Sequence, residues 1–420
     1  MLIALFFPAI SLYYGIKNGN ESQKKIVLFI FFLFYGATIK FSVENDGFRH
    51  RENVDTYYQN MDLSEFAGAS MKILKFQDSG VGSDDIYRHT ISFISGSILG
   101  NSLFFFVIVA GVYGFFFLNV LFEIFDRPLT FTYFPLIATG FLLIMHKNIE
   151  GVNTVRTWTA MWMLLYGTLK FLKNKKPQYL LFILLTPVVH FGYFILALPV
   201  ILGIVLKNTP RLAITAFIIS MFFSNFNPTN GLAERFENQE IIHKRVENYS
   251  VDKKISANAK WERIESRGNQ RFYNKLQSFG LHRYAFSFII ISVYFFAIRQ
   301  SNTNKSLIIS LFVIGVFIHA FSNFSWFIDQ VSGRSRVIGE VFILMSLFLL
   351  LRDTTIYFKN IYFRWSLNFY LALMIPFAIW NISRWFDHPS FFSFILPGIV
   401  ITNPDLNFSL KELLKFIIPI

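Results

Sequence analysis

The chain contains no cysteine in 420 residues. A disulfide framework, a thiolate nucleophile and a cysteine-ligated metal are therefore excluded. Charge is also scarce, at 15% Asp, Glu, Lys and Arg, whereas a soluble protein of this size needs far more on its surface. The sequence holds no G-x-x-x-x-G-K-[ST] loop, no H-E-x-x-H and no G-x-S-x-G, which removes the commonest phosphate-loop, zinc-protease and serine-hydrolase readings. It shows no internal repeat. The Met1 end lacks a basic n-region and an A-x-A-like cleavage site, so it reads as a first span rather than a removed signal.

Apolar residues are what the chain has in abundance. They make up 54% of it, 54 of them phenylalanine, with a mean hydropathy of +0.45. Runs long enough to cross a hydrocarbon layer of ~30 Å recur throughout. The expected fold class is all-α, a polytopic integral membrane protein of about twelve transmembrane or re-entrant helices forming one transmembrane domain, 1–420. The formal charge of +13 would point a soluble domain toward nucleic acid. Here it reflects basic cytoplasmic loops instead, and no nucleic-acid partner is expected.

Orientation follows from those loops. Lys17, Lys24 and Lys25, then Lys170, Lys173, Lys175 and Lys176, then Arg352, Lys359 and Arg364 mark connections expected inside. The connections around 147–156 and 327–336 carry only Lys147, Arg156, Arg334 and Arg336, and fall outside. Two long polar segments, 44–90 and 227–283, fall on that outer side as well. The first is expected to end in an interfacial helix near 86–98, and the second to be largely helical near 234–276. The stretch 178–206 is too long for one span, about 43 Å if fully helical, and Pro187 and Gly192 bracket a break at His190.

Several residues carry chemistry that a bilayer makes costly. Arg156 opens a helix directly after the polar loop KNIEGVN. A snorkelling arginine is the bland account, a phosphate ligand the functional one, because guanidinium binds phosphoryl oxygens through a planar fork. Arg334 and Arg336 precede a span on the outer side, against the positive-inside trend. Arg49, His50 and Arg51 cluster in the first outer segment, followed by Asp55; for His50 a solvated loop is the better account. A general base needs a titratable group near neutrality, and His190 leads, ahead of Asp55 and His319. Asp84 and Asp85 form no convincing metal pair, and no metal or cofactor is expected. Nucleotide sugars are cytoplasmic, so an outer active site implies a lipid-linked donor.

Together these residues resemble the EpsG-like proteins, which sit with the Wzy-type polymerases of bacterial O-antigens, capsules and exopolysaccharides. The resemblance rests on Gly151 leading to Arg156 at a helix start, the Lys-rich turn, and an apolar segment bearing His190. Asp55 before Tyr57-Tyr58, and the late Arg334 and Arg336, match further landmarks. Relatives often follow the helix-opening arginine with Gln, where this chain has Thr157. The resemblance implies a multi-pass protein of the bacterial cytoplasmic membrane. It implies polymerisation of undecaprenyl-diphosphate-linked oligosaccharide repeats at the outer face, with the bilayer and a chain-length regulator as partners. Arg156, Arg334, Arg336, Arg49 and Arg51 would bind diphosphate, and His190 or Asp55 would act as base. A repeat-unit flippase and an O-antigen ligase remain the competing readings, with a cell-surface acyltransferase behind them.

Overall fold

The computed structural model describes residues 7–41, 46–126, 133–222, 281–299, 306–325, 329–385, 389–403 and 407–417. Among these residues the chain is helical, with one isolated bridge between Ser390 and Ser409. The helix expected near 234–276 lies outside them.

The helices begin where the sequence offers caps. After α1 (Pro8–Asn18), Asn20 and Gln23 form a reciprocal capping box for α2 (Glu21–Thr38), and Asp62 and Glu65 form another for α4 (Leu63–Leu74), beyond α3 (Asp46–Tyr57). The polar segment 44–90 is thus largely helical. It runs into α5 (Ile86–Phe93), which a π-turn extends to Ile98. This helix packs among α4, α6 (Leu103–Ile124) and the short helix Thr186–Val189, with Arg88, His89 and Ile91 buried. The amphipathic pattern read as membrane-facing is thus turned onto protein.

Next come α7 (Phe134–His146) and α8 (Thr157–Asn174), with a short 3-10 turn, Ile149–Thr154, between them. The stretch beyond Lys176 breaks as Pro187 demands. It gives α9 (Leu180–Leu184), α10 (Thr186–Val189), an extended His190 (φ −151°, ψ 116°), and α11 (Tyr193–Val205). Then follow α12 (Pro210–Phe222), α13 (Leu281–Val293, extended by a π-turn), α14 (Ser306–Phe324), α15 (Asp329–Asp353), α16 (Ile356–Lys359), α17 (Ile361–Leu373) and α18 (Ile375–Trp385).

Hydropathy leads to an expectation of about twelve spans; among the described residues, four helical stretches are long and apolar enough to cross a membrane: Leu103–Ile124, Leu281–Ile298, Ser306–Phe324 and Ile361–Ile382. Pro177–Val189, Tyr193–Val205 and Pro210–Phe222 are apolar but shorter. A hydropathy run ignores Pro187, which breaks the first of these.

The α14–α15 pair makes the most extensive helix contact. Its closeness depends on glycine. A Cβ on Gly315 would meet the Gly339 carbonyl at 3.0 Å, and one on Gly339 would meet the Gly315 carbonyl at 3.0 Å. That approach fixes the register in which α15 presents its arginines.

The bundle has two polar ends. At one, Glu123 takes Lys170 and Lys173, Asp126 takes Lys173 (3.0 Å) and Arg352 (2.9 Å), and so the last turns of α6, α8 and α15 are tied together. At the other end lie the starts of α8 and α15 and the break at His190.

Candidate active site

Arg156 is aimed by a strained turn. Val155 has φ 52° and ψ −64°, and the Arg156 N–H donates to the Thr154 carbonyl at 2.5 Å. This is a γ-turn of the positive-φ kind, which a β-branched residue adopts only when its surroundings hold it there. Val155 is fully buried, and its carbonyl accepts from Thr159 Oγ1 at 2.6 Å. The preceding loop is anchored through Tyr113, whose hydroxyl donates to the Asn148 carbonyl at 2.6 Å and accepts from Trp162 Nε1 at 2.9 Å. Gly151 is needed there, because a Cβ would stand 2.6 Å from that hydroxyl. The Gly-to-Arg spacing at the start of α8 is therefore the spacing of an anchored loop and a sharp turn.

The partner of Arg156 is Asp85. Its Oδ2 receives Arg156 Nη1, and its Oδ1 receives the Phe191 N–H at 2.7 Å. Asp85 occupies the N-cap position of α5 without capping it by its side chain. An Asp there ordinarily stabilises a helix by about 1 kcal/mol, and this one faces Arg156 instead. Its side chain is 1% exposed against 23% for that of Arg156, so the carboxylate is the buried floor and the guanidinium reaches the opening. Burial alone would raise the Asp85 pKa. The His190 ring, the Arg156 charge and the Phe191 N–H outweigh it and hold the carboxyl below the usual range.

His190 completes the set. Arg334 Nη1 lies 2.8 Å from its Nε2, and Arg334 Nη2 donates to Gln330 Oε1 at 2.8 Å. A guanidinium can only donate, so Nε2 accepts and the neutral ring carries its proton on Nδ1. Nδ1 faces Asp85 Oδ2 at 3.7 Å, beyond hydrogen-bond length but within ion-pair reach. Burial pushes the His190 pKa down to about 4, against the pull of Asp85 and with help from Arg156 and Arg334. The pair is thus a carboxylate beside a neutral imidazole. Tyr193, whose hydroxyl donates to the Thr157 carbonyl at 2.8 Å, locks this turn onto the start of α8.

Of the residues singled out in the sequence, Arg156, His190 and Arg334 meet here. The others stand apart. Arg336 lies two positions from Arg334, about 200° around a helix, and its Nη2 reaches Ser332 Oγ at 3.4 Å. His319 is fully buried on α14, away from His190. Asp55 is exposed and accepts from Ser102 Oγ and Gln59 Nε2, both at 3.1 Å. Arg49 pairs with Asp46 in solvent, and Arg51 lies over the rings of Phe41 and Phe106 at 5.4 and 5.6 Å. Tyr58 donates to His89 Nδ1 at 2.8 Å and is a core anchor. Among the described residues, no group of three or more His, Asp or Glu could hold a metal ion.

Sequence reasoning passed over three residues. Asp85 was weighed only as half of a metal pair; its place at a helix start, with a basic residue three positions on, is the signal it offered. Arg88 spends its Nε on Ser83 Oγ (3.1 Å) and its Nη2 on the Gly82 carbonyl, so it fastens the loop that carries Asp85. His50 packs by its ring against Phe105 within electrostatic reach of Arg156: burial and then the charges of Arg88, Arg156 and Arg49 lower its pKa to about 3.

A model of the EpsG family matches residues 24–388, a span that takes in Asp85, Arg156, His190 and Arg334. The chain belongs to the EpsG family. No curated protein and no solved structure matches it. Membership in the EpsG family gives the chain a role of the polysaccharide-polymerase type, in a membrane and on a lipid-linked substrate.

Proposed function

We propose that this protein joins undecaprenyl-diphosphate-linked oligosaccharide repeat units into a polysaccharide of the O-antigen, capsule or exopolysaccharide kind, at the outer face of the bacterial cytoplasmic membrane. The observation that carries this reading is the meeting of Asp85, Arg156, His190 and Arg334, drawn from four segments of the chain to one end of the bundle. A flippase would instead spread such charges along a central path.

In this reading the acceptor hydroxyl gives its proton to His190 Nε2 as its oxygen attacks the anomeric carbon of the donor. The bond from that carbon to the diphosphate breaks, and its electron pair leaves with undecaprenyl diphosphate. Arg156 and Arg334 face the charge that develops on the leaving group. An arriving diphosphate competes for Arg334, and Arg334 moving onto it uncovers Nε2. Asp85 keeps the remaining ring proton on Nδ1. An O-antigen ligase would share this chemistry with a different acceptor, and a chain-length regulator would act beside it.

The deciding experiment is the surface-polysaccharide ladder of a deletion strain. Loss of long chains with a single repeat unit retained supports the polymerase. Complete loss of attachment favours the ligase or flippase and overturns it.

The same reading fixes the orientation of the bundle. Ser64 and Asn174 are both exposed, Asn174 at the end of the Lys-rich α8. In this cysteine-free background, Ser64→Cys should react with an impermeant maleimide in intact spheroplasts. Asn174→Cys should react only after permeabilisation. Labelling of Asn174→Cys in intact cells would invert the topology and place the site on the cytoplasmic side.

A further inference from the structure

Behind Arg334, on the other face of α15, lies a second polar cluster that the proposed chemistry does not use. Glu340 is 1% exposed and stands 2.8 Å from Nε2 of His146, itself 2% exposed. His319 on α14 is fully buried with neither ring nitrogen hydrogen-bonded, and Tyr370 on α17 has a buried hydroxyl without a partner. Half-buried above them are His282, Arg283 and Arg336. Arg283 donates to Asn323 Oδ1 at 3.0 Å, while Arg336 Nε has no acceptor. His282 and His319 are both within electrostatic reach of Glu340, Arg336 and Arg283.

Unpaired polar groups among apolar helices are costly, so each calls for a partner. What is missing can be read from the inventory. Arg336 Nε–H, an N–H on His319 and the Tyr370 hydroxyl are donors without acceptors, while Glu340 Oε1, the other His319 nitrogen and the Nδ1 atoms of His146 and His282 also lack partners. Two guanidinium charges stand over one carboxylate. Glu340 lies about 6 Å below Arg336 along the helix and is occupied by His146, so it forms the floor. The partner such a site lacks is an anion rich in acceptor oxygens.

An apolar groove lies next to it. A cavity of about 610 Å³, almost wholly apolar, runs between α7 and the helices α17 and α18, from Phe134 to Leu142 on one wall and from Asn368 to Ala378 on the other. Leu142 is one turn below His146. Ala378 adjoins Phe377, whose ring lies 5.3 Å from that of His146 and stacks at 5.6 Å on that of His282. An apolar groove whose lining stops one turn short of His146 and next to Phe377, beside a cluster that holds two arginines, matches one kind of molecule, an anionic head on a long hydrocarbon chain.

We infer that Arg336 and Arg283, over a floor of His146, His319 and Glu340, form a second diphosphate site whose occupant is a polyisoprenyl diphosphate with its chain in the α7–α17–α18 groove. Resting on the polymerase reading, this occupant is the second lipid-linked substrate of the joining reaction. Donor and acceptor then bind on opposite faces of α15, each with its own arginines.

Native mass spectrometry of the full chain, titrated with undecaprenyl diphosphate, tests this by stoichiometry. The wild type should bind two equivalents. Arg283→Gln/Arg336→Gln should bind one, with the second weakened at least tenfold, and Arg156→Gln should lose the other. Ile375→Trp serves as a second variant. It fills the groove from a position 56% exposed, leaves the buried cluster untouched, and should also remove one equivalent. Retention of both equivalents in the double variant and in Ile375→Trp overturns the inference, as does equal displacement by phosphatidylglycerol. A single equivalent that only Arg156→Gln removes also overturns it. A single equivalent lost in the double variant but kept in Arg156→Gln upholds this site and sinks the role of Arg156.

Discussion

Arg156→Lys should cost polymer formation at least a hundredfold, although the charge is kept. A snorkelling arginine lays its stem along apolar surface and tolerates lysine. Arg156 instead gives one arm of its fork to a carboxylate that is 1% exposed, and its helix starts from a positive-φ turn at Val155. Lysine supplies a point charge with no planar fork, so it loses the fixed geometry in which one arm holds Asp85 and the other faces a phosphoryl oxygen. Losing one preorganised donor to developing charge ordinarily costs on the order of 10²–10³ in rate. The measurement is elongation of lipid-linked repeat units by purified protein at matched yield. Arg156→Lys within threefold of wild type would return Arg156 to the bland account.

The sequence made this residue visible because Gly151, Arg156 and His190 sit at places where the apolar pattern stops. A stop in a pattern needs no alignment to be noticed. The break at His190 was legible for the same reason, since Pro187 cannot continue a helix. Asp85 was not legible. Its meaning lies in Arg156, 71 positions away, and in the backbone of Phe191, and no local pattern records a partner of that kind.

The arginine pair failed in a different way. Arg334 and Arg336 read as neighbours in a turn before a span, where both could reach one phosphate. The helix already begins at Asp329 despite Gly333, and inside a helix two positions are nearly opposite faces. The same rotation separates Arg49 from Arg51, because the segment read as a loop is α3. Helix boundaries decided which residues could share a site, and boundaries are what single-sequence reading determines least well.

His190→Ala should abolish elongation while undecaprenyl diphosphate still binds, and Asp85→Asn should separate positioning from chemistry. A base must be neutral to accept a proton. His190, pushed to about 4 by burial, is neutral throughout the physiological range, so the acid limb of kcat/KM should fall near pH 4. That is well below the ~6.5 of an ordinary histidine. Asp85 is the group that raises the His190 pKa, so Asp85→Asn should move the acid limb lower still. It should also depress the plateau roughly tenfold to a hundredfold, since the ring is no longer held with its proton on Nδ1; losing the partner that orients a catalytic histidine can cost up to ~10⁴ elsewhere. Stability runs in the same direction with pH. The Asp85 pKa is depressed in the folded protein, so its contribution is present above its unfolded value of ~4 and is lost as pH falls below it. Wild type should therefore melt above Asp85→Asn at pH 7, with the gap closing in acid. Elongation above a tenth of wild type in His190→Ala would remove His190 as the base. An acid limb that moves upward in Asp85→Asn would show that the titrating group is neither His190 nor one that Asp85 serves.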